Sequence, residues 1–174
     1  GARAGVQSHG NQVHLFLNGL YWGLYNVSEA MDDHFAAAQW GGENEQYDVI
    51  SGDRHEPTGI EVNDGKADDF NAVANGIRAM SAEVTASRVD EKTFYEKACA
   101  EIDLDRMIDY LILEWYVDNS DWPQKNWKAT ISKQLGVKLP YLAWDPDTTL
   151  TEGSKAITAD PANAQVGHEL RPVH

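Results

Sequence analysis

Cysteine is almost absent. The single Cys99 in 174 residues cannot form an internal disulfide, so the fold must rest on packing. Positive charge is scarce as well: 14 Lys and Arg stand against 28 Asp and Glu, a net charge of -14. That balance argues against nucleic acid and against an anionic membrane surface as partners. A polyanionic ligand such as a nucleotide would need a metal ion to screen the repulsion. No apolar run approaches the roughly 20 residues that span a bilayer, so no membrane insertion is expected. The six histidines share no ligand spacing on one element, which excludes a zinc site of the usual kind. Internal repeats and an obvious linker are missing too. The opening GARAGVQSHGNQ has no element of its own and reads as the cut edge of something larger.

What is present suffices for a globular core, with 42% hydrophobic and 10% aromatic residues. VHLFLNGLYWGLYNV, residues 13–27, predicts a β-hairpin around Asn18-Gly19, because both central positions of a type I′ turn need positive φ. Gly23 in its second strand suggests a bulge or a close ligand approach. Ser28 is expected to cap a helix through Trp40 with Met31, Phe35 and Ala38 on one face, stopped by Gly41-Gly42. A short strand is expected over 47–53, then a loop through Pro57 to the turn Asn63-Asp64-Gly65. Helices follow over 66–80, 90–100 and from an Asp103 cap. The last carries Leu104, Met107, Ile108, Leu111, Ile112, Trp115 and Tyr116 as one apolar face. WKATISK and VKLPYLAW predict a second hairpin, and residues 151–174 read as loop. The class is α+β.

The chemistry lies in two acidic loops that flank this second hairpin. The first, DWPQKN, places Asp121 and Asn126 five positions apart; the second, WDPD, contains Asp145 and Asp147. Because a hairpin folds back, Asn126 and Asp145 can converge. One Asp beside a reacting hydroxyl, with an Asn and an Asp on a divalent cation, suits phosphoryl transfer, and hard oxygen donors on loops suit Mg²⁺ or Mn²⁺. An Asp-x4-Asn spacing alone is weak. The alternative is that Asp118, Asn119 and Asp121 only solvate a helix end and form a turn before Pro123. Asp145-x-Asp147 is not an EF-hand, since Leu150 and Ala156 stand where that loop needs Gly and Glu. The six Trp and seven Tyr could mark a sugar-stacking surface of a glycoside hydrolase, or core and loop packing.

NGLYWGLYNVSE, the helix into DWPQKNW and the strand into WDPD together resemble the CotH kinase family, the spore coat protein H-like atypical protein kinases, over residues 11–150. The resemblance implies a divergent protein-kinase-like core, a single domain over 1–174 with the N-terminal part of its small lobe missing. It implies ATP and a divalent metal as cofactors, Ser or Thr of a protein as acceptor, and a larger parent chain in a surface, secreted or spore-coat setting. Asp121 would be the catalytic Asp; Asn126, Asp145 and Asp147 would hold the metal. The hairpin would be the last strands of the small lobe, and Ser28–Met31, with Glu29, the adenine-side hinge. Kinases place a Lys two residues after the catalytic Asp, where this chain has Pro123; Lys125, or Lys128, would supply that charge. No phosphate-covering loop or ATP-gripping Lys precedes the hairpin, and Arg3 is the only Lys or Arg before Arg54. A non-catalytic surface module is therefore the rival reading.

Overall fold

The computed structural model describes residues 6–150; the loop expected over 151–174 lies outside them. Strands β1 (Gly10–Leu17) and β2 (Leu20–Ser28) form an isolated antiparallel hairpin. Asn18 and Gly19 both have positive φ at its turn, as the sequence requires. The bulge expected at Gly23 is present: Leu15 faces Gly23 while Phe16 faces Tyr21, so Trp22 is the extra residue.

Helix α1 (Asp33–Trp40) ends at Gly41 as expected but begins later than Ser28, which closes β2. Its cap is Asp32, whose carboxylate accepts from the Phe35 amide at 2.9 Å. Met31, Phe35 and Ala36 are buried, whereas Ala38 is exposed. Strand β3 (Asp48–Gly52) follows, and the expected loop contains a further strand, β4 (Ile60–Asp64), paired with β3. Helix α2 (Asp68–Thr85) runs one turn past Met80. Helices α3 (Glu91–Glu101) and α4 (Leu104–Val117) have Asp90 and Asp103 as caps, each accepting a backbone N–H. Strands β5 (Trp127–Ile131) and β6 (Tyr141–Ala143) complete a four-stranded sheet in the order β4-β3-β5-β6. The class is α+β.

This sheet is covered on both sides, which is why Val49, Ile50 and Ser51 are buried in succession. Ile50, Ala129 and Ile131 pack with Val73, Phe70 and Ile77 of α2. Across the sheet, Leu142 packs with Met31 and Phe35, and Tyr47 with Ala36 of α1. Full burial of Ile50 alone stabilises by about 1.5–3 kcal/mol.

The buried stripe of α4 is not the expected apolar one. Tyr110 and Glu114 are its buried residues, while Ile108, Ile112, Trp115 and Tyr116 are exposed. Tyr110 turns inward because it completes a run of rings: Phe70–Trp127, Trp127–Tyr141, Tyr141–Tyr110 and Tyr110–Trp122, with centroids 5.4–6.2 Å apart. Trp122 and Trp127 are thus packing residues, whereas Tyr21, Trp22 and Tyr25 lie exposed on the hairpin.

Gly52 faces the Trp127 indole so closely that a Cβ there would overlap the ring. The ring cannot retreat, because its Nε1 donates to the Pro123 carbonyl at 2.8 Å and its faces meet Phe70 and Tyr141. Gly52→Ala is expected to destabilise the fold by about 1–3 kcal/mol, measured by urea unfolding; an unchanged midpoint would refute this packing.

Candidate functional site

Helix α4 ends because Asp118 adopts the left-handed conformation, with φ 48° and ψ 58°, one that Asp tolerates better than most residues. The chain then turns back across the helix end as Asn119–Asn126. Asn119 is buried, and its Oδ1 is a meeting point. It accepts from the Asp121 amide at 3.4 Å, from Asn126 Nδ2 at 3.2 Å and from Thr148 Oγ1 at 3.3 Å. Asn126 also donates from Nδ2 to the Asp145 carbonyl at 2.8 Å. The Leu150 amide donates to the Val117 carbonyl at 2.7 Å, satisfying one of the carbonyls that a helix end leaves free. The two acidic loops are therefore joined, and the convergence expected of Asn126 and Asp145 is real. Both have positive φ, 65° and 53°.

Asp121 lies on the first loop, part-buried, with Lys125 Nζ 2.6 Å from its Oδ2. Of Lys125 and Lys128, it is thus Lys125 that reaches the Asp. Lys128 points elsewhere: its Nζ donates to the Met31 carbonyl at 3.3 Å and lies 4.6 Å from the Trp144 ring centroid. It ties β5 to the segment that follows the hairpin. Asp145 and Asp147 are exposed, Asp147 within a 3-10 turn over Pro146–Thr148. Glu29 is remote in role from a helix start, because α1 begins four residues later. It bonds His9 instead, through the His9 amide and ring Nδ1, both 2.9 Å away. These bonds, the amide's foremost, hold its carboxyl below the usual range.

The donor chemistry fits a hard divalent cation. Both Asn126 amide hydrogens are committed to Asn119 and Asp145, which leaves its Oδ1 for a ligand, and the Asp145 and Asp147 carboxylates are accessible. Among the described residues no three His, Cys, Asp or Glu side chains gather as a metal cage.

Sequence reasoning placed Asn119 only at a helix end and did not single out Glu114 at all. Glu114 is 2% exposed, and neither carboxylate oxygen closes a hydrogen bond of good geometry. Burial pushes its pKa up to about 7, partly offset by the Asn119 and Tyr110 side chains that face it. The Tyr110 hydroxyl, which accepts from Trp122 Nε1 at 2.6 Å, is itself pushed up by burial and by the Glu114 charge.

The chain belongs to the CotH kinase family: the model of the CotH kinase protein family matches residues 3–172, nearly the whole length. No curated protein and no solved structure matches it. Membership makes this a kinase-like domain.

The Glu114 carboxyl titrates near 4.5 when unfolded and near 7 when folded. The folded state therefore holds the extra proton between those values. Its contribution to stability is complete below pH 4.5 and is lost as pH rises to about 7. Glu114→Gln, neutral throughout, should remove this fall. Urea midpoints across pH 4.5–8 for both chains would show it, and parallel profiles would exclude it.

Proposed function

We propose that this domain transfers the terminal phosphate of ATP to a Ser or Thr hydroxyl of a protein, with a divalent metal, on a divergent protein-kinase-like core spanning 1–174. The observation that carries this reading is the Asn126 to Asp145 bond at 2.8 Å, which unites the two acidic loops in a chain of this family. Asp121 would accept the proton of the acceptor hydroxyl as general base. Lys125, at 2.6 Å, holds the Asp121 carboxylate in place and offers charge to the transferring phosphoryl group. Asn126, Asp145 and Asp147 would hold Mg²⁺ or Mn²⁺, whose chemistry is to neutralise charge on the phosphate oxygens. Glu29 and the Ser28–Met31 segment would border the adenine. The apolar residues exposed on the hairpin, among them Phe16, Trp22 and Leu24, support its place in a larger sheet of a parent chain.

A second reading, a binding module without transfer, is favoured by how the nearby cations are used. Lys125 is engaged by Asp121, and Lys128 by the Met31 carbonyl and Trp144. Little positive charge remains for a triphosphate, and its stabilisation is the larger part of such catalysis.

Calorimetry with ATP, with and without Mg²⁺ or Mn²⁺, and transfer from labelled ATP to a generic protein acceptor separate the two. Metal-dependent binding that disappears in Asp145→Ala is expected. Asp121→Asn should keep that binding and lose about 10²–10⁴ in transfer rate. Absence of ATP binding, or binding without transfer, in the native chain would overturn the first reading and select the second.

A further inference from the structure

We propose that Lys128 is a positioning residue of the candidate site: its ammonium, resting on the Trp144 ring, fixes the Met31 carbonyl and so sets residues 28–31 against the strand end that leads into Asp145. The functional value of this role rests on the reading of those residues given above; the contacts themselves do not.

The sheet brings the three groups together. Lys128 of β5 stands opposite Leu142 of β6 in the register, and side chains directly opposite share a face. Leu142 is buried on that face with Met31 and Phe35. Trp144 comes two residues after Leu142, just past the end of β6. Its ring centroid lies 4.6 Å from Lys128 Nζ, within the range of a cation–π contact. The same ammonium donates to the Met31 carbonyl at 3.3 Å. Lys128 follows Asn126 by two positions, and Trp144 directly precedes Asp145. One side chain therefore joins the segment after the hairpin to the neighbours of both loop residues.

The Met31 carbonyl needs this donor. The ladder of α1 starts one residue later, where the Asp32 carbonyl accepts from the Ala36 amide at 3.0 Å. A backbone carbonyl taken out of water is costly to leave unpaired. The buried Met31 side chain anchors the residue, but its burial does not decide which way the following peptide plane faces. The Lys128 bond does.

An ammonium is otherwise a costly way to fill this place. Lys92, Lys125 and Lys133 each pair with a carboxylate, whereas Lys128 contacts a carbonyl and a ring, and neither cancels its charge. Leu or Met would cover Trp144 and pack beside Leu142 without the desolvation of a charge. Leu would also spare the entropy lost in holding a four-carbon stem. The lysine is explained by the carbonyl it reaches.

The test compares the native chain with Lys128→Met, which keeps an unbranched stem over the ring and loses the donors, and with Lys128→Arg, which keeps donors and ring contact. The first measurement needs no ligand: ¹⁵N relaxation of the backbone. In Lys128→Met the order parameters of residues 29–32 should fall from about 0.85 toward 0.6, while those of β3 and α2 stay. Lys128→Arg should restore them. Should Lys128→Met not fold, Lys128→Gln, neutral and shorter, takes its place with the same expected fall.

The second measurement is binding of Mg²⁺–ATP and of adenosine alone. Residues 28–31 border the adenine in the reading above, so Lys128→Met should weaken both roughly tenfold, the worth of one hydrogen bond to a charged group. Lys128→Arg should weaken neither. The proposal is overturned by order parameters unchanged in Lys128→Met, or by unweakened binding in that variant of ligands that the native chain holds. Weakening of Mg²⁺–ATP alone would also overturn it, since Lys128 would then be a direct phosphate contact. Lowered order parameters in the variant of a chain that natively binds neither ligand would uphold the positioning and refute the nucleotide reading.

Discussion

One side-chain oxygen decides how the two acidic loops lie. Asn119 Oδ1 receives the Asp121 amide, the Asn126 amide and the Thr148 hydroxyl, at 3.2–3.4 Å. The loops are separated in sequence by the whole β5–β6 hairpin, so each could otherwise move with its own end of the sheet. An amide carbonyl has two lone pairs, and three donors sharing it make long bonds that are individually modest. Their effect comes from being buried together, where a lost partner leaves a polar group without water. The left-handed turn at Asp118 makes this possible, since a helix continuing for one more turn would carry Asn119 past the loops.

Rigidity is distributed unevenly as a result. The sheet, α1, α2 and the run of rings from Phe70 to Trp122 form a packed body, and Trp122 and Trp127 anchor the first loop at both ends. The β1–β2 hairpin is different: it pairs with no other described strand and exposes Phe16, Leu20, Tyr21, Trp22, Leu24 and Val27. A lone two-stranded ribbon is marginal in water. It is tied to the body by Met31, in the core just beyond it, and by the Lys128 ammonium on the Met31 carbonyl, while Ser8 and His9 bond Glu29 across its own open end.

Local signals in the sequence led to correct elements wherever the physics is local. Asn18-Gly19 marks the hairpin turn, Asp90 and Asp103 cap their helices, and Gly41 stops α1. Ser28 misled because a capping residue type can equally end a strand, and the true cap, Asp32, lies four residues on. Strand β4 was hidden by the turn residues around it, since Pro57 and Asn63-Asp64-Gly65 left only a short run between them. The α4 face was misread for a deeper reason. Apolar periodicity assigned Ile108, Ile112, Trp115 and Tyr116 to the interior, while the buried stripe carries a Tyr and a Glu. The candidate site shows the same division. The convergence of Asn126 and Asp145 is legible from spacing around a hairpin. The Lys128–Met31 tie is not, because it depends on a contact made only when distant segments meet.

Charge sets the last constraint on what such a site can do. The chain carries twice as many acids as bases, and the two lysines nearest the loops are already paired or bound. A free polyanion approaching Asp121, Asp145 and Asp147 meets a repulsive field that salt screens only beyond about 8–10 Å. Close to the loops such repulsion would have to be cancelled locally, and the oxygen donors there are of the kind that suits a hard divalent cation. The Lys125–Asp121 pair, at 2.6 Å, holds that carboxylate and that ammonium against each other. The loops contribute mainly geometry, which a buried side-chain carbonyl that three donors share is suited to fix.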